Sequence, residues 1–91
     1  MILRSDLMRI MNHFGKYQQF MKLGEEVGEL YKAILEFENG IRPTTNEITK
    51  EFADVQLVMD QIKELYELSD RELEMVKEFK LQRTLDTYNI E

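Results

Sequence analysis

The chain has 91 residues, enough for one domain at most, and a domain this short buries little surface unless its helices pack well or it self-associates. Hydrophobic residues at 43% exclude a chain disordered by composition, and the absence of Cys excludes disulfides and thiolate metal sites and fits a reducing compartment. A net charge of −6 argues against sequence-independent binding to nucleic acid and requires a bridging cation for any phosphate-bearing substrate. The N-terminal stretch is broken by Arg4, Asp6 and Arg9, so it lacks the apolar run of a signal peptide, and no segment has the composition of a membrane span. A cytoplasmic protein is the expectation.

The pattern predicts an all-α chain of four helices. The first covers about 6–14, with Ser5 as N-cap and Gly15 as stop. The second runs about 17–38 and ends at Asn39-Gly40, its apolar face made by Phe20, Leu23, Val27, Leu30 and Ile34. The clearest loop follows and contains the lone proline, Pro43. The third helix is expected from Thr44, where Thr44 and Glu47 have capping-box spacing. Ile48, Phe52, Val55, Met59 and Ile62 form its face, and Leu57, Val58 and Leu65 widen the stripe, which implies contact on more than one side. Ser69 and Glu72 repeat the capping-box spacing, so a fourth helix starts near 70; it carries Leu73, Val76, Lys80 and Leu81 and frays before Glu91. The short loop makes the two long helices a central antiparallel hairpin, flanked by the other two.

The polar edges of that hairpin carry the chemistry. Glu26 and Glu29 are spaced i, i+3 on one helix, and Glu51 and Asp54 share that spacing on the next. Each pair adjoins an apolar stripe, so packing of the stripes brings the pairs together. Four carboxylates at a partly buried seam repel unless compensated. A divalent cation compensates them, and oxygen ligands without His or Cys select magnesium or manganese. Taken alone, E-x-x-E or E-x-x-D is a common solvated helix edge; the joint occurrence is the signal. Gly24 and Gly28, inside the second helix, imply either close helix packing or room for a substrate or cation. His13, the only histidine, is read as a surface or capping residue, and the six Met residues as filling for core and interface gaps.

The stretch from Phe14-Gly15 through Gln19 to Glu25-Glu26-Val27-Gly28-Glu29-Leu30, followed by Glu51-Phe52-Ala53-Asp54, resembles the MazG-like nucleoside triphosphate pyrophosphohydrolases. The resemblance covers about residues 13–85. It implies a four-helix MazG-like fold and magnesium-dependent hydrolysis of an NTP or dNTP to the monophosphate and pyrophosphate. It implies Glu26, Glu29, Glu51 and Asp54 as metal ligands and Glu25 as a base or further ligand. Lys80 and Arg83 would neutralise phosphate oxygens if the last helix folds over the site. Lys22 would reach a phosphate or Glu26, Phe14 would stack on the base, and Gln19 would hydrogen-bond nearby. Phe14 stands where many relatives carry Trp, which leaves base selectivity open. Two alternatives share the motif or its residues: a phosphoribosyl-ATP pyrophosphatase, and a non-catalytic helical interaction module whose acids are structural. Size and the wide third stripe point to a homodimer or a dimer of dimers (a homotetramer), with the site near the subunit interface. Neither a nucleic acid nor a membrane is an expected partner.

Overall fold

A computed structural model describes all residues, Met1–Glu91. It is all-helical, with four helices and no strand: α1 Arg4–Phe14, α2 Lys16–Glu38, α3 Asn46–Leu65 and α4 Asp70–Thr87. No helix is long and apolar enough to cross a membrane.

The helix ends follow local chemistry, with two departures from expectation. α1 begins at Arg4, capped by the extended Leu3, so Ser5 lies inside the helix and is not the cap. Its first turn is held by Arg4, whose guanidinium pairs with Glu64 of α3. Gly15, at φ 89°, is the single residue between α1 and α2, a conformation that L side chains rarely adopt. α2 ends in a Schellman motif: the Ile41 N–H donates to the Glu36 carbonyl and the Gly40 N–H to that of Phe37, with Gly40 at φ 74°. α3 starts at Asn46 with Thr45 as N-cap and no side-chain cap bond. The expected Thr44–Glu47 capping box does not form; the Thr44 hydroxyl instead accepts from the Asn46 N–H at 3.3 Å, a turn contact that competes with the cap. Ser69 does cap α4, accepting from the Glu72 N–H at 3.2 Å.

Three contacts fix the hairpin register. Gln19 meets Gln61, Glu26 meets Glu51 and Asp54, and Ala33 and Glu36 share a recess with Glu47. As α2 advances α3 recedes, so the pair is antiparallel. α1 packs on both and crosses the later half of α3, with Arg4 beside Glu64 and Ile10 and Phe14 facing Leu57 and Val58.

The apolar core is small: Leu7, Met11, Ala33, Val55 and Val58 are its fully buried members. On α2 the row turned toward α3 is Gln19, Leu23, Glu26, Leu30, Ala33 and Phe37, so the expected face is rotated. Leu23 and Leu30 face inward, but Val27 and Ile34 stay exposed. On α3, Val55 and Val58 are buried with Glu51 and Gln61, whereas Phe52 and Met59 are about half exposed. The width of the α3 stripe is explained in part by its two neighbours, α1 and α2. α4 does not flank the hairpin as expected. It packs against none of the other helices along its length and is tethered at its base by an ion pair between Lys63 and Asp70. Gly24 and Gly28 are not sites of close packing within the chain, since an added Cβ at either would meet nothing within 4 Å.

Candidate metal centre

The carboxyl groups of Glu26, Glu51 and Asp54 converge, each offering an oxygen within 4.8 Å of the others. α2 supplies Glu26 because that position lies in its buried row between Leu23 and Leu30. α3 supplies Glu51 and Asp54 one turn apart, beside Val55 and Val58. Helix packing that buries the valines carries the acids with it.

Glu51 is the most enclosed of the three, at 7% exposure, and its Oε2 is buried with no hydrogen-bond donor. A buried carboxylate oxygen without a donor is costly. Burial first, then the negative charges of Asp54 and Glu26, push the Glu51 pKa above its ordinary value of 4.5. Lys22, one turn before Glu26, donates to Glu26 Oε1 at 3.2 Å. That bond and the charge of Glu26 raise the Lys22 pKa above 10.5. One lysine therefore offsets part of the negative charge and leaves the Glu51 oxygen unanswered. The donor set is three carboxylates with no imidazole or thiolate, which fits a hard divalent cation such as magnesium or manganese.

Two of the three carboxylates, Glu26 and Asp54, line one end of a cleft of about 330 Å³ between α1 and the hairpin, whereas Glu51 borders a small neighbouring recess. Lys22, Glu26 and Asp54 form its charged end; Ile10, Phe14, Leu57 and Val58 form an apolar end. At the floor, Gln19 Nε2 donates to Gln61 Oε1 at 2.8 Å, both residues being buried. Phe14 is about half exposed on the cleft wall, its ring edge-on to His13.

The structure distributes the expected site residues unevenly. Glu26, Asp54, Lys22, Gln19 and Phe14 line the cleft, and Glu51 meets Glu26 and Asp54 without lining it. Glu29 lies outside the three-carboxylate group. It lines a small neighbouring recess with Lys32, Glu36, Arg42, Glu47 and the far side of Glu51. Arg42 in that recess donates to Glu36 at 2.9 Å, which raises the Arg42 pKa above 12.5. Glu25 is exposed and is not part of the group. Lys80 and Arg83 sit on α4, which does not fold over the cleft within the chain; Arg83 lies over the Phe79 ring instead. Gln61 was not anticipated. Its signal is a polar residue three positions after Val58 and four before Leu65, two members of the widened apolar stripe. Comparison with protein-family models, with characterised proteins and with solved structures finds no match for this chain.

Proposed function

We propose that the chain is a magnesium-dependent pyrophosphohydrolase of nucleoside triphosphates, releasing the nucleoside monophosphate and pyrophosphate. The observation that carries this reading is the donorless, buried Glu51 Oε2 within a three-carboxylate cluster whose other members, Glu26 and Asp54, line the charged end of a half-apolar cleft. The motif resemblance supplies the substrate class. Glu26, Glu51 and Asp54 would hold the cation, with Glu29 reaching it only by a change of rotamer or through water. A bound divalent cation would neutralise triphosphate charge and polarise a phosphoryl oxygen. Lys22, held by Glu26 at the cleft wall, is placed to share its charge with a phosphate oxygen. Phe14 and Leu57 offer apolar surface to the base, and Ile10 and Val58 keep water from that end of the cleft.

A product assay over the common NTPs and dNTPs, with and without magnesium or manganese, tests the reading. The expected result is monophosphate and pyrophosphate in equal amounts, only with metal. Glu26→Ala and Asp54→Ala are each expected to lower turnover by about a hundredfold or more, with helicity by circular dichroism unchanged. Full activity in either variant would reject the assignment. Including phosphoribosyl-ATP in the panel separates the related activity, and metal-independent inertness toward every triphosphate would favour a non-catalytic module.

A further inference from the structure

We propose, resting on the triphosphate reading above, that Gln19 and Gln61 together read the edge of the nucleotide base, and that their two amides turn over as a pair to accept either an amino-bearing or an oxo-bearing base. Glu26 follows Gln19 by two turns on α2, and Asp54 precedes Gln61 by two turns on α3. The amide pair therefore lies about 10 Å along the hairpin from the carboxylates, a span that a nucleotide covers between phosphate and base. The contact between the amides uses one hydrogen of Gln19 Nε2 and one lone pair of Gln61 Oε1, at 2.8 Å. Gln19 Oε1 and Gln61 Nε2 bond no other group of the chain. Neither is sealed off, since Glu51 Oε2 is the only buried side-chain nitrogen or oxygen without a partner. Both residues line the cleft and are otherwise enclosed, at 5% and 2% exposure, so these two atoms open on the cleft. Its floor shows an acceptor from Gln19 beside a donor from Gln61.

The oxygen and nitrogen ends of an amide have nearly the same size, so a half-turn about the last side-chain bond exchanges them without displacing a neighbour. Turning one amide alone would set two donors or two acceptors face to face. Turning both keeps their mutual bond, now donated by Gln61 Nε2 to Gln19 Oε1, and reverses what the cleft meets: a donor from Gln19 beside an acceptor from Gln61. Base edges come in the same two orders. Cytosine and adenine carry an amino donor beside a ring-nitrogen acceptor, whereas uracil and hypoxanthine carry a carbonyl acceptor beside a ring N–H donor. A base held in one pose against Phe14 and Leu57 thus finds a matching floor in either class. No backbone or charged group holds either amide, so nothing else in the chain fixes its direction. A pair unable to turn would reject the mismatched class, because enclosed polar groups left without partners are costly.

The test compares substrates that differ at that edge alone, CTP with UTP and ATP with ITP, in the presence of magnesium. Within each couple kcat/KM is expected to agree to about tenfold, whereas a pair unable to turn would discriminate by about 10⁴-fold; a gap above about tenfold would overturn the proposal. Gln61→Met is expected to raise KM for CTP and UTP alike, by about tenfold or more, with little change in kcat, as lost base binding requires. An unchanged KM, or a fall in kcat alone, would reduce Gln61 to a packing residue. Because that variant can misfold, the native chain supplies a second readout. With nitrogen-labelled protein and the non-hydrolysable α,β-imido analogues of CTP and UTP, nuclear Overhauser contacts to the base H5 should come from the NH₂ of one glutamine in the cytosine complex and of the other in the uracil complex. Contacts from the same glutamine in both would show that the pair does not turn. Hydrolysis of none of the four triphosphates would remove the triphosphate reading and this inference with it. Hydrolysis of only one member of each couple would leave that reading standing and reject the turning pair.

Discussion

Glu51 illustrates how one buried oxygen couples pH, stability and cation binding. Its folded pKa is raised, so the native chain holds this proton more tightly than the unfolded chain does. Its contribution favours folding fully below the ordinary value of 4.5 and is lost as pH climbs through the raised value. In metal-free solution Tm is therefore expected to decline over that window, and Glu51→Gln should flatten the decline and raise Tm at neutral pH. Magnesium should raise the Tm of the native chain and leave that of Glu51→Gln unchanged, as scanning calorimetry at several pH values would show. An unaltered pH profile in the variant would deny the coupling. The buried amide pair behaves differently. Gln61→Leu strands the Gln19 amide and should cost about 1–3 kcal/mol in urea unfolding, whereas replacing Gln19 and Gln61 together by Leu should recover much of that loss.

The helix ends show what a sequence discloses and what it withholds. All three C-terminal stops after α1 are Schellman motifs, with Gly40, Glu67 and Asn89 in the left-handed region. Glu67, at φ 51°, bears a Cβ where glycine is favoured. Glu67→Gly is expected to stabilise the chain by about 1 kcal/mol in chemical denaturation, and a loss of similar size would mean that the side chain contributes more than the backbone strain. Boundaries at Gly15, Asn39-Gly40 and Ser69 were legible because capping depends on a few adjacent residues. Thr44 misled because its hydroxyl found a nearer N–H. The convergence of Glu26 with Glu51 and Asp54 was legible from i, i+3 spacing beside apolar rows. The position of Glu29 was not, because one further turn carries it past Asp54 to the other side of Glu51. Gln19 and Gln61 sit in buried rows as partners of each other, a pairing across 42 positions that no local pattern reveals. The rotation of the α2 face is set by which flank meets α3, and nothing in α2 alone decides that.

At the scale of the molecule, five buried apolar side chains are a thin core for this length, and much apolar surface stays open on the hairpin and α4. If association supplies the missing burial, stability becomes a function of concentration. Tm is expected to rise with protein concentration over a hundredfold range, by the few degrees that mass action gives, and a constant Tm would show that one chain is self-sufficient. The cleft depends on a different feature. Its apolar end is bounded by Phe14, and the next residue, Gly15, is all that joins α1 to α2. The Gly15 N–H is bound to the Met11 carbonyl and its own carbonyl accepts from Gln19, so a single backbone conformation sets the angle between the two helices. The size of molecule the cleft admits is thereby tied to one glycine codon, and ligand breadth can diverge between descendants of this chain without any change in the residues that line the cavity.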